Sequence, residues 1–263
     1  MNSQLTGQYI PGASIMHRMD ARAKFSGFLI LIAAVILTGT IEGYLLMIPF
    51  ILIIAALSRL PPEIATGSVR RMLPFFFFVF LLNVLFFESE TPLWQWGIIT
   101  ISIDGIAQGA NILLRIVLIL ILSNVLTLTT PPMALMAAIE SLMSPLRFIG
   151  VPVGDVSMIL SVAVQFIPTL LRETDDIRTA QTARGAQFES GKLLDRAKAL
   201  PPLLTPIFLS AFKRADELAV AMEARGYRGG KYRTKKASQP MPVSGWLALF
   251  LCAALCALQI FLF

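Results

Sequence analysis

The tripeptide Ala-Arg-Gly stands twice in this chain, as Ala183-Arg184-Gly185 and as Ala224-Arg225-Gly226, each time closing a charged helical stretch. A glycine just past a helix is a common terminator, and an arginine in the last turn complements the helix dipole. Capping needs the glycine but not the same Ala-Arg before it. The small alanine permits close approach, and the arginine offers a planar five-donor fork for carboxylates or backbone carbonyls. Two such tips on consecutive helices, 41 positions apart, have the form of a docking device for a two-fold or pseudo-two-fold partner.

Residues that could do catalysis are scarce. His17 is the sole histidine, and without helpers it builds neither a metal site nor an acid–base pair; it reads as a juxtamembrane cap beside Asp20. Gly185 to Gly191-Lys192 imitates a phosphate-binding loop, but five residues separate the glycines and Leu193 replaces the Ser or Thr. Such a loop also needs a preceding strand, which is missing here. Cys252 and Cys256 lie one helical turn apart in an apolar run and read as packing or lipid-facing residues. Arg115 is different, because it falls mid-way along an apolar span, where a charge costs at least about 2.5 kcal/mol. Asn111 and Asn124 are expected on roughly neighbouring turns, and a tilt of the helix would let Glu88 or Asp104 approach it. Two readings fit: a polar hinge that contacts a partner or stabilises the bundle, or a side chain that snorkels outward.

The elements that position these residues are built for lipid. Of 263 residues, 56% are hydrophobic and 14% charged, against roughly 25% charged in soluble domains; mean hydropathy is +0.74. No secretory signal peptide is evident. Spans need about 17–25 apolar residues, and residues 25–41, 43–58, 72–88, 105–127 and 244–263 qualify or nearly so. A sixth candidate, 155–171, is interrupted by Gln165 and Pro168. Arg18, Arg22 and Lys24 precede the first span, and Arg59, Arg70 and Arg71 follow the second, so both segments read as cytoplasmic. Glu88, Glu90 and Asp104 follow the third span without a cation, so that loop reads as exterior. Were 155–171 a span, the basic stretch from Arg172 to Lys236 would be exported, against the positive-inside bias. The net charge of +6 is therefore assigned to inner loops and not to nucleic-acid binding.

The fold expected is an all-α polytopic membrane protein with about five transmembrane helices and a cytoplasmic coupling module of three helices, two of them long and crossing. Residues 1–127 hold the N-terminal cytoplasmic segment and four spans, 128–243 the module, and 244–263 a last span with an exterior C-terminus. Within the module, Thr129-Thr130-Pro131-Pro132 reads as a helix start, leading to an amphipathic helix with Leu135, Ile139, Leu142, Met143 and Leu146 on one face. A second helix is expected over 155–184, with a possible kink at Pro168. A third is expected from Pro201-Pro202 to about Arg225, with Ala211, Ala215, Leu218 and Met222 as its packing face. Tyr227 to Gln239 reads as a basic linker at the inner membrane surface.

The chain resembles, nearly end to end, the transmembrane T component of energy-coupling-factor (ECF) transporters, a branch of the ABC transporters that imports vitamins and metal ions. The resemblance rests on Gly7-Gln8-Tyr9-Ile10-Pro11-Gly12, Ser14, His17-Arg18, Asp20, Arg22 and Lys24. It continues through Leu126 to Pro131, Ser144-Pro145-Leu146-Arg147, Gly150-Val151-Pro152, Phe166-Ile167-Pro168 and the two Ala-Arg-Gly tips. Met19 and Ala21 depart from the family, which more often has Leu and Pro there. The resemblance implies a non-catalytic subunit in the membrane of a bacterial or archaeal cell, with Arg184 and Arg225 each docking on one of two ATP-binding ABC ATPases. It also implies a small membrane-embedded S component that captures the substrate. ATP and Mg would sit on the ATPases, with no cofactor or metal on this chain. The opening motif looks most like general-purpose T components of vitamin transport. The alternatives are a self-sufficient ABC permease, which would need a polar pocket at membrane depth, and a membrane enzyme, which lacks the necessary side chains.

Overall fold

Short polar residues punctuate the apolar runs and set where the helices begin. The computed structural model describes residues 9–61, 67–87, 94–96, 99–186, 188, 193–229 and 240–262. Ser14 caps α1 (Ile15–Arg18). Asp20 caps α2 (Ala21–Leu37), accepting from the Arg22 backbone N–H at 2.8 Å. Thr40 does the same for α3 (Ile41–Leu57) through Gly43 at 3.3 Å. Then come α4 (Gly67–Arg71) and α5 (Leu73–Phe86), the latter with proline in its first turn, where the missing N–H costs nothing. A minimal antiparallel hairpin, β1 (Trp94–Trp96) with β2 (Ile99–Ile101), pairs Gln95 with Thr100. Ser102 caps α6 (Ile103–Thr129) by accepting from Gly105 at 2.9 Å. After it follow α7 (Pro132–Met143), a 3-10 segment (Ser144–Ile149), α8 (Val153–Ala183), α9 (Leu193–Ala224) and α10 (Val243–Leu262).

The chain divides into two compact units, one of Gln8–Ala138 with Pro240–Phe263, the other containing Ile139–Gln239. In the first, α2 packs on α10 and α6, and α3 and α5 also pack on α6. Its core joins Leu31, Ala34 and Val35 of α2, Tyr44, Met47 and Ile51 of α3, Leu118 and Leu122 of α6, and Cys252 of α10. The outward faces are just as apolar: Leu45, Phe77 and Phe250 are 81%, 67% and 74% exposed. Helices that are hydrophobic all round need an apolar surrounding medium, and lipid supplies it. The protein is a multi-pass membrane protein with an all-α fold.

Lys24 Nζ donates to the Thr129 carbonyl at 3.0 Å and to Thr130 Oγ1 at 3.3 Å, and the Ile10 N–H donates to the Leu128 carbonyl at 3.0 Å. These donors satisfy carbonyls that the end of α6 leaves without helical partners, and the ammonium also suits the negative pole of the helix. His17 holds the same N-terminal segment, donating from Nε2 to the Ile10 carbonyl at 3.0 Å, with Nδ1 2.7 Å from Ser14 Oγ.

Several boundaries differ from the sequence expectations. Thr129 and Thr130 do not cap α7. The Thr129 hydroxyl donates back to Val125 inside α6, and Thr130 accepts from Lys24, so both serve the end of the preceding helix. Pro201-Pro202 does not open the third module helix, which starts at Leu193 and carries Pro201, Pro202 and Pro206 inside it. His17 bonds Ser14 and Ile10, because Asp20 is occupied as the cap of α2. Ala215 is exposed, whereas Ala211, Leu218 and Met222 are half-buried.

Among the described residues, three helices are long and apolar enough to cross a membrane: Ile103–Thr129, Val153–Ala183 and Val243–Phe261. The helices formed by the other expected spans are shorter, 17 residues each for α2 and α3 and 14 for α5. Expectations for Gly7, Gln8, Glu88, Glu90, Gly191-Lys192 and the linker over 230–239 lie outside the described residues.

Candidate functional site

Both Ala-Arg-Gly copies fold into the same helix-ending motif. In the first, the Gly185 N–H donates to the Thr182 carbonyl at 2.9 Å and the Ala186 N–H to the Gln181 carbonyl at 3.0 Å. In the second, Gly226 donates to Glu223 at 2.9 Å and Tyr227 to Met222 at 3.0 Å. This is the paired hydrogen-bond pattern of a Schellman cap, with glycine in the left-handed region, φ +92° at Gly185 and +75° at Gly226. Ala183, Arg184, Gly185, Ala224, Arg225 and Gly226 are all exposed. Neither arginine side chain forms a hydrogen bond or ion pair with a described residue. Each cap therefore ends a helix and presents one uncommitted guanidinium to solvent.

The helices carrying the two tips cross antiparallel. Glu173 of α8 accepts from the Ser210 hydroxyl and, at 3.1 Å, from Arg214 Nη2 of α9. Nearer the far end of α9, Tyr227 Oη donates to Asp155 Oδ1 in the first turn of α8 at 3.2 Å. The end of α9 thus lies by the start of α8. Arg184 stands eleven positions beyond Glu173, and Arg225 eleven positions beyond Arg214. At about 1.5 Å per residue, each arm is roughly 16 Å long. Because the helices are antiparallel, the arms point away from the Glu173–Arg214 pair in opposite senses. The two arginines are related by an approximate two-fold axis through that pair, at most about 33 Å apart.

Other contacts stiffen the module. The Ser157 hydroxyl donates to Glu140, joining α8 to the amphipathic helix before it. The Arg178 guanidinium lies over the Phe188 ring, 5.9 Å from its centre, just past the first tip. Part of the module surface is apolar and unpartnered: Ile159 is 69% exposed, Leu209 67% and Phe212 67%.

Arg115 belongs to a separate cluster inside the membrane unit. Its Nη2 donates to the Thr38 carbonyl at 2.9 Å, at the C-cap of α2. Gln259 Nε2 of α10 donates to Thr38 Oγ1 at 3.0 Å, and that hydroxyl donates to the Ala34 carbonyl at 2.9 Å. A cation thus sits at the negative end of α2, a favourable placement for both. Asn111 lies one turn away on α6, its Oδ1 buried and without a hydrogen bond to a described residue. Asn124 does not share a neighbouring turn, contrary to the expectation from the sequence: it stands nine positions beyond Arg115 on the same helix, about two and a half turns on.

Sequence reasoning missed Glu173, Ser210, Arg214, Thr38 and Gln259, and placed Tyr227 in a linker, whereas it bonds Asp155 of α8. Ser210 and Arg214 did carry a signal, a four-residue spacing that puts both on one helix face. Thr38 and Gln259 carried none, being separated by 221 positions.

Comparison with known proteins agrees with the architecture. The sequence profile of the cobalt transport protein (CbiQ) family matches residues 12–236. The energy-coupling factor transporter transmembrane protein EcfT of Acidaminococcus fermentans is 44% identical over 231 residues, 87% of this chain and 85% of the relative. The EcfT of Bacillus subtilis is 40% identical over 235 residues, 89% of each chain. That of Streptococcus equi subsp. equi is 40% identical over 263 residues, 100% of this chain and 97% of its own. On this similarity the chain belongs to the family of energy-coupling-factor transporter transmembrane proteins, non-catalytic membrane subunits of transporters.

Proposed function

We propose that this chain is the energy-coupling subunit of an ECF-type importer for vitamins or related micronutrients. It docks two cytoplasmic ABC ATPases, one on Arg184 and one on Arg225, and transmits their ATP-driven motion to a small membrane-embedded S component that holds the substrate. ATP and Mg are bound by the ATPases and no cofactor by this chain. The observation that carries this reading is the pair of identical, solvent-facing arginine caps at equal arm lengths from the Glu173–Arg214 pair. Two similar ATPases present two similar surfaces, and a device with approximate two-fold symmetry grips both. The unpartnered apolar surface around Leu209 and Phe212 supports a membrane-embedded neighbour.

In this reading the module 128–243 faces the cytoplasm, with the N-terminus on the same side and the C-terminus outside. The decisive experiment replaces both arginines, Arg184→Ala with Arg225→Ala, in the full complex. The expected result is loss of both ATPases on purification and loss of uptake, with the membrane chain still folded. Normal transport by the double variant would overturn the assigned role. Uptake by this chain and the ATPases without a further membrane protein would instead identify a self-sufficient permease.

A further inference from the structure

The membrane unit contains a groove of about 450 Å³ between α2, α3, α6 and α10, with α1 across one end. Its body is apolar, walled by Phe28, Ile53, Leu126 and Leu251 among others, and no carboxylate lines it. The cations in its lining, Arg18 and Lys24, both lie where α2 and α10 begin and α6 ends. Arg18 is exposed and forms no hydrogen bond or ion pair with a described residue. Lys24 uses two N–H donors on Thr129 and Thr130, which leaves a third. Ile53 and Leu251 on the walls are each 56% exposed, so the groove opens to the surrounding hydrocarbon.

We propose that this groove binds one anionic phospholipid, an acyl chain in the apolar body and the phosphate on Arg18 and Lys24. The volume falls in the usual range for small-molecule sites, about 300–1,000 Å³. A free phosphate would leave the apolar body unfilled. A zwitterionic lipid would carry its own cation to the basic end and lose most of the charge complementarity. Juxtamembrane cations draw anionic lipids from the bilayer, and here two of them stand at the mouth of a cleft shaped for the tail.

The test is native mass spectrometry of the full chain, titrated with phosphatidylglycerol and with phosphatidylcholine of identical acyl chains. The expected result is one retained phosphatidylglycerol, preferred about thirtyfold, with the preference abolished in the Arg18→Gln, Lys24→Gln double variant. Lys24 also holds the end of α6, so Arg18→Gln is measured alone; about a fivefold loss of preference is expected. Ala248→Phe, which fills the groove, is expected to reduce retention of both lipids. Equal retention of the two lipids by the unaltered chain, or unchanged retention after Ala248→Phe, would overturn the proposal. So would cross-linking of Ile53→Cys in membranes to a protein in place of a photoactivatable phosphatidylglycerol.

Discussion

At Gly185 and Gly226 the backbone demands a left-handed residue, yet a Cβ at either would meet no other atom within 4 Å. The cost of Gly→Ala there is conformational, about 1–2 kcal/mol at each site. Gly185→Ala and Gly226→Ala are therefore expected to lower the melting temperature modestly in detergent, with Asn costing less than Ala at either position. A larger loss of ATPase co-purification than of stability would show that the cap also aims the arginine. Arg115 poses the opposite case, since its value lies in what it keeps satisfied. Arg115→Met leaves the Thr38 carbonyl without that donor, at a cost of about 1–3 kcal/mol. The measured consequence is less folded protein in the membrane, with uptake per folded molecule preserved. A fall in uptake per molecule at unchanged stability would instead make Arg115 part of the transport path.

The Glu173–Arg214 pair sets the geometry of the crossing helices. It is half-buried, with side chains 27% and 36% exposed, so its worth as an ion pair is small, about 1 kcal/mol or less. Its importance lies in register, because it holds α8 and α9 at one point and leaves two equal arms. Glu173→Ala is expected to leave each arginine cap intact and both ATPases attached, while substrate uptake per ATP hydrolysed falls severalfold. The check is uptake and hydrolysis measured on the same reconstituted complex, and unchanged coupling would assign the pair a purely structural role. The Ala-Arg-Gly caps were legible because a helix end is a local event, governed by glycine's access to positive φ. The pin was not, because Glu173 and Arg214 are 41 positions apart and each reads as a solvated helix charge. The start of α9 was misread for a related reason: Pro201 and Pro202 weaken a helix locally, yet α9 continues through them.

For the whole molecule, the charge distribution predicts orientation. With Cys252 and Cys256 replaced by serine, single cysteines at Arg178→Cys and Phe263→Cys are expected to react with an impermeant thiol reagent from opposite sides of the membrane. Labelling from the same side would overturn the single crossing by α10 between the module and the C-terminus. Composition and the apolar runs were enough to identify a lipid-embedded, predominantly helical chain, because runs of this length have no other stable solvent. The chemistry of the two tips was likewise written in six residues. Only the tertiary structure decided how those tips relate, since the antiparallel crossing and the equal arms arise from side chains meeting across two helices. The same holds for Arg115: its spacing marked it as costly, but the Thr38 carbonyl that receives it lies 77 positions away. Local sequence dictates where a helix ends and what it displays there, whereas packing decides which distant end it faces.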